Sequence, residues 1–161
     1  MSDAPLQPST DRIGSFAEFW PYYISEHRVA KSRWLHFVGT SGFLLTLLLS
    51  ILVAPGRMGI ALALCAGALA AGFQMERVRS SAPVLLGTIV AFTIANPLVL
   101  AGVVWAYAFA WFGHFRVENN RPATFVYPLW SLTADFKMYG WMWTGRLWTG
   151  DGREVAPLAR S

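Results

Sequence analysis

Long apolar runs separated by short polar clusters set the pattern of this chain. The first run, Trp34 to Val53, is twenty residues without a charge. A helix of that length reaches across a hydrocarbon core about 30 Å thick. Pro55-Gly56 marks a tight turn, and a second run follows from Met58 to Met75. Its small residues, such as Gly67 and Gly72, suit close approach of helices where no hydrophobic effect drives them together. The run ends in the charged stop Glu76-Arg77-Val78-Arg79. The third run, Ala82 to Gly113, is thirty-two residues long and is broken by Asn96-Pro97. A single helix of that length would measure about 48 Å, too long for one crossing without strong tilt. Split at Asn96-Pro97, it predicts segments over 83–95 and 97–113, the first short enough to be re-entrant.

The flanks carry a different periodicity. Residues 1–14 are polar, with Pro5 and Pro8, and predict a disordered tail. Ser15 and Glu18 form a capping box, and Phe16, Phe19, Trp20 and Tyr23 follow with charges between them. This predicts an amphipathic interfacial helix over 15–27, kinked at Pro21. After the last apolar run, Arg121-Pro122-Ala123 breaks the chain and Tyr127-Pro128 opens another helix. Leu129, Leu132, Phe136, Tyr139, Trp143 and Leu147 recur at three- and four-residue spacing and predict a second interfacial helix over 128–148. The expected fold is an all-α integral membrane protein. A four-helix transmembrane bundle, with spans 34–53, 58–75, 83–95 and 97–113, carries N- and C-terminal amphipathic interfacial helices. The membrane domain covers 15–149, and 150–161 is a C-terminal tail.

Composition strengthens the membrane reading. Hydrophobic residues make up 55% of the 161, and charged residues only 14%, against roughly 25% in a soluble domain. The formal charge is +4, from thirteen Lys and Arg against nine Asp and Glu. The basic residues are scattered between apolar runs, which argues for a lipid bilayer and against nucleic acid as partner. Four crossings place twelve of the thirteen on one face, leaving only Arg57 opposite, whereas three crossings split them six against seven. The positive-inside tendency therefore selects four crossings with both termini cytoplasmic, in a bacterial inner membrane or the endoplasmic reticulum. The polar start lacks the features of a cleaved signal peptide. Cys65 is alone among Leu, Ala and Gly, so it offers neither a disulfide nor a thiolate metal cage.

Candidate chemistry rests on three histidines, His27, His36 and His114. The four-span topology puts all of them at the cytoplasmic face. Glu118 follows His114 by four residues and shares its side of a continuing helix, and Glu76 ends the second span at the same depth. Two readings stand: interfacial hydrogen-bonding side chains, or imidazoles that with a carboxylate hold a metal of the kind used by non-haem Fe(II) oxygenases. Polar groups beside uncharged spans are costly and tend to be functional. No nucleophile elbow, P-loop or dinucleotide fingerprint is present. Three histidines are too few for a clustered-histidine di-iron desaturase, and a transporter would carry midplane charges.

Glu26-His27, eight intervening residues, then His36-Phe37-Val38-Gly39-Thr40, and later Gly113-His114-x-x-x-Glu118-x-x-x-Pro122-Ala123 resemble the 2-hydroxy-fatty-acid dioxygenase (Mpo-like) family. The similarity covers roughly residues 15–145. It implies Fe(II)-dependent removal of one carbon from a 2-hydroxy fatty acid by dioxygen, in fatty acid alpha-oxidation. It also implies that His27, His36 and His114 are the iron ligands, with Glu118 at the matching acidic position. Family members often carry Pro and Asn between the first two histidines, where this chain has Val29-Ala30-Lys31-Ser32, and a Gln where it has Ala110. These departures touch the surroundings of the site rather than its histidines. Arg77, Arg79, Arg116 or Arg121 could anchor the substrate carboxylate at the membrane surface. The competing reading is a non-enzymatic membrane protein, a lipid-binding or scaffolding subunit. A topology reporter fused after Ser161 is expected to read cytoplasmic; a periplasmic or lumenal signal would overturn the four-span arrangement.

Overall fold

The computed structural model describes residues 12–156, and its architecture follows from where prolines and polar clusters interrupt a helical chain. Six α-helices result: α1 (Phe16–Ser25), α2 (Ala30–Val53), α3 (Pro55–Met75), α4 (Ala82–Ala95), α5 (Leu98–Phe112) and α6 (Pro128–Trp143). A π-helical turn, Gly113–Glu118, extends α5, and a 3-10 turn, Ala123–Phe125, precedes α6. No strand occurs among the described residues. Helices α3, α4 and α6 each begin at a proline in the first turn, where the missing N–H costs nothing. Asn96 is extended, and its side-chain oxygen accepts the Leu98 N–H at 3.0 Å, so Asn96-Pro97 does divide the third apolar run.

Three helical stretches, Ala30–Val53, Pro55–Met75 and Leu98–Glu118, are long and apolar enough to cross a membrane. Helix α4 is apolar but has fourteen residues, about 21 Å of rise. The close pairing of α2 with α5 depends on two glycines. A Cβ on Gly39 would stand 3.1 Å from the Ala106 carbonyl oxygen, and one on Gly42 would enter the Trp105 indole. Small residues thus let these backbones approach. The expectation for α3 is corrected in part. Gly72 packs against Leu129 and Val84, but Gly67 faces open space. Ala-rich composition marked a helix surface without telling which of its sides meets a neighbour. At the far end of these helices, Met58, Ala61, Ala95 and Val99 form a small core with Phe43, Leu47, Phe92 and Val103 around it.

The larger core joins α1 to α6. Phe19, Trp20, Tyr23 and Ile24 of α1 are buried with Trp130, Ala134, Met138 and Met142 of α6, and Tyr127 and Leu147 close the cluster. The Ser15 hydroxyl accepts the Glu18 N–H at 3.2 Å, as a capping box requires, although Glu18 reaches back to the Gly14 N–H instead. Helix α6 ends at Trp143, with a turn through Gly145 in the left-handed region at φ +82°, so the predicted helix over 128–148 is five residues too long. Of its expected apolar face, Leu129 and Leu147 are buried, whereas Leu132, Phe136 and Trp143 are exposed, and Trp130, Ala134 and Met138 face inward. Both sides of α6 are apolar, so periodicity alone could not choose between them.

The described parts of the predicted tails are docked. Arg12 donates to the Glu76 and Val126 carbonyls and lies over the Tyr127 ring, while Ile13 N–H donates to the Tyr127 hydroxyl. At the other end, the Trp20 indole donates to the Val155 carbonyl and Ala156 is buried. Residues 1–11 and 157–161 of the expected tails lie outside the described residues.

Two buried charges fasten these layers. The Glu76 carboxylate accepts the Leu129 N–H at 2.6 Å, the Trp130 N–H at 2.8 Å and the Ser81 hydroxyl. It therefore caps the N-terminus of α6 from the end of α3, where the helix dipole favours a negative charge. Arg33, fully buried in the first turn of α2, donates to five carbonyls: His27, Arg28, Leu147, Thr149 and Gly150. It ties the turn before α2 to the segment after α6. Removing the Glu76 carboxylate strands two buried N–H groups, so Glu76→Ala should cost about 3 kcal/mol and Glu76→Gln, which keeps one acceptor, about half that. Equilibrium unfolding in detergent checks both; a Glu76→Ala transition matching wild type would contradict this account of α6.

Candidate metal centre

His27, His36 and His114 sit on three different elements and meet in one place. His27 follows α1, within the turn that Arg33 holds through the His27 and Arg28 carbonyls. His36 lies in the second turn of α2. His114 lies in the π-helical turn that ends α5, a local widening of the helix that recurs at functional sites. That turn closes at Asn119, which is left-handed at φ +54° and donates its N–H to the His114 carbonyl. All three imidazoles are buried, and their ring centroids stand 4.5, 4.7 and 5.3 Å apart. One nitrogen from each lies within 4.8 Å of the others.

The partners of the outer nitrogens decide what the inner ones can do. His27 Nδ1 is 2.7 Å from the Tyr23 carbonyl oxygen, which can only accept, so Nδ1 carries the proton. His36 Nδ1 donates to Asp135 Oδ1 at 2.7 Å. His114 Nδ1 donates to Asn120 Oδ1 at 2.7 Å, and the Asn120 amide nitrogen donates in turn to the Glu26 carbonyl, which settles the orientation of that amide. With all three Nδ1 protons committed, a ring that carries no second proton keeps its Nε2 lone pair. The Nε2 atoms of His27 and His36 face each other at 3.2 Å. Two neutral acceptors have no hydrogen bond to share, and a cation between them turns repulsion into attraction. Burial, followed by the neighbouring His36 and His114 rings, pushes His27 well below the ordinary value of 6.5, which keeps its own Nε2 free of a proton.

A metal ion suits the donors. Two imidazole nitrogens 2.0–2.1 Å from one ion, at angles between octahedral and tetrahedral, stand roughly 2.8–3.4 Å apart. Imidazole ligands suit Fe, Zn, Cu and Ni alike. The hydrogen bonds to Tyr23, Asp135 and Asn120 are the outer contacts that orient metal-binding histidines. Asp135 also accepts from the Thr40 hydroxyl at 2.6 Å and the Tyr23 hydroxyl at 3.1 Å. Burial raises the Asp135 carboxyl, but the His36 ring and these three donors more than offset it and hold it below the usual range.

A cavity of about 90 Å³ opens beside the cluster, with space for several waters or a small polar head. His36, His114 and Asp135 meet it on one side, and Ala106, Ala110, Trp111 and Leu132 give it an apolar wall. Pro122 and Ala123, the end of the sequence motif, also line it.

Other residues singled out from the sequence lie elsewhere. The Glu118 carboxylate accepts the Val29 N–H at 2.9 Å at the start of α2 and is not part of the histidine cluster. Its spacing from His114 reflects this contact between α5 and α2. Arg77, Arg79, Arg116 and Arg121 are exposed and none lines the cavity. Arg79 rests on the Met75 sulfur and Arg121 over the Phe125 ring. Sequence reasoning missed Asp135, Asn120 and Arg33. Asp135 carried a usable signal, being the only acidic residue between Glu118 and Asp151 and lying amid apolar neighbours.

The model of the family described as 2-hydroxy-palmitic acid dioxygenase Mpo1-like matches residues 13–147, and the chain belongs to that family. Neither the curated proteins nor the solved structures include a match.

Two outcomes test the centre. Asp135→Asn is expected to weaken metal binding about 10- to 100-fold, read by competition with a chelator. His27, a base kept neutral in the fold, takes up a proton on unfolding. Its contribution to stability is therefore present above pH 6.5 and declines as the pH falls below it. Chelator-treated protein should lose stability from pH 7 to pH 5, and His27→Gln should flatten that dependence.

Proposed function

We propose that this membrane protein is a non-haem iron oxygenase that shortens 2-hydroxy fatty acids by one carbon. The observation that carries the reading is the cluster of three imidazoles with every Nδ1 proton engaged, of which His36 and His114 line a mostly apolar cavity. Family membership supplies the substrate class. The overall reaction balances without another reductant. One 2-hydroxy acid and one dioxygen become the acid one carbon shorter, carbon dioxide and water, with four electrons leaving C1 and C2 for dioxygen. Fe(II) held by His27, His36 and His114 would supply Lewis acidity toward the carboxylate and hydroxyl of the substrate and the redox capacity that dioxygen chemistry needs.

The chain's own residues do the rest. Tyr23, Asp135 and Asn120 hold the three rings in one tautomer and orientation, so donor geometry is set before substrate arrives. Burial of the rings keeps bulk water from the reacting carbon. Ala106, Ala110, Trp111 and Leu132 receive the first methylenes of the alkyl chain. Glu118 acts as a positioning residue through the α2 N-terminus. Arg77, Arg79, Arg116 and Arg121 form an exposed basic fringe that attracts an anionic substrate to the surface.

The contacts between helices support four crossings, and the positive-inside tendency then puts the centre at the cytoplasmic face. Gly39 with Ala106 and Gly72 with Val84 pair α2 with α5 and α3 with α4 in opposite directions. Arg57 then stands at the end opposite the other described basic residues. In this reading α4 crosses a locally thinned or protein-lined region, and α1 and α6 lie together as the interfacial layer.

Anaerobically purified protein is expected to hold about one iron per chain and to convert 2-hydroxyhexadecanoic acid to pentadecanoic acid in air. His36→Ala and His114→Ala should each lower turnover at least 100-fold and release the metal. Full conversion by iron-free protein would overturn the proposal.

A further inference from the structure

Ser131 lies on α6 one turn before Asp135 and lines the same cavity as His36 and His114. Its side chain is 4% exposed, and its hydroxyl has no hydrogen-bond partner among the described residues. The Ser32 and Thr93 hydroxyls are left likewise, but neither lines the cavity. The Thr133 hydroxyl, two residues on, donates to the Leu129 carbonyl at 2.8 Å, and Ser50 on α2 donates to the Thr46 carbonyl at 2.8 Å. A helical serine or threonine hydroxyl that bonds back to its own helix, as these two do, is the ordinary case. A buried hydroxyl left unmade costs free energy, and such an exception invites a functional explanation.

The cavity decides what that partner would be. Ser131 and Asp135 present to it from consecutive turns, about 6 Å apart along the helix. The three Asp135 donors are already placed, so that carboxylate is spoken for. No arginine or lysine lines the cavity, so an anionic head has no cationic side chain to meet there. A neutral hydroxyl donor in a water-poor site is the remaining fixed group on α6 that can recognise a carboxylate oxygen, and a hydrogen bond to a charged acceptor is the strong kind.

We propose that the Ser131 hydroxyl binds the carboxylate of the 2-hydroxy acid, donating to one of its oxygens and setting which way the head group enters beside the histidines. The assignment rests on the functional reading above. Ser131 touches substrate, whereas Asp135 acts through His36.

The test measures equilibrium binding of radiolabelled 2-hydroxyhexadecanoic acid and of hexadecane-1,2-diol to protein in nanodiscs, against empty nanodiscs. Wild type and Ser131→Ala are compared, each with and without Fe(II). Ser131→Ala removes a hydroxyl that bonds nothing in the protein, so its melting temperature and iron content should match wild type. Its affinity for the acid should fall about tenfold or more, with or without metal. Its affinity for the diol, which has no carboxylate, should stay within twofold. Equal binding of the acid by the two proteins overturns the Ser131 assignment and leaves the oxygenase reading standing. Wild-type protein that binds neither iron nor the 2-hydroxy acid overturns both. Equal loss of acid and diol affinity shows a packing effect and also overturns the assignment. The wild-type comparison of acid with diol, which needs no variant, must favour the acid at least tenfold in the metal-free state.

Discussion

The Asp135 carboxylate sits where an unpaired lone pair would be expensive, and three donors from two other elements converge on it. Tyr23 comes from α1, His36 and Thr40 come from α2. Because a buried carboxylate must be satisfied or neutralised, these contacts fix how α6 lies against both. Glu76 imposes the same kind of constraint at the start of α6, from the end of α3. Helix α6 has apolar residues on both sides and could rotate against an apolar surface at little cost. The two carboxylates remove that freedom.

The metal centre depends on the same fastening. His36 is oriented by a residue on α6, His27 by the last turn of α1, and His114 by Asn120, which itself leans on the Glu26 carbonyl. No ring is held only by its own helix. Arg33 completes the frame, gripping the turn that carries His27 together with the chain beyond α6. The site is thus a junction of terminal segments with the long apolar helices. This explains why segments 12–14 and 150–156 are docked although their sequence is that of tails.

Much of the architecture was legible because helices are made by local contacts. Apolar run length, Asn96-Pro97 and the prolines at helix starts named α2 to α6 to within a few residues. The three histidines stood out because ionisable groups are rare in such surroundings. What misled was local pattern without depth. Gly67 belongs to a surface where nothing packs among the described residues. Glu118 had the right spacing from His114 to join it, yet its carboxylate answers the backbone of Val29 on another helix.

From the sequence alone came the all-helical class, the breaks between helices and the identity of the three histidines, since hydrophobic period and helix punctuation are properties of neighbouring residues. Tertiary structure alone decided that the histidines meet, that each Nδ1 is engaged while Nε2 is left bare, and that Ser131 faces the same cavity without a partner. His36 and Asp135 are 99 residues apart. The need to satisfy buried polar atoms acts through space, and no spacing along the chain encodes which distant atom will answer it.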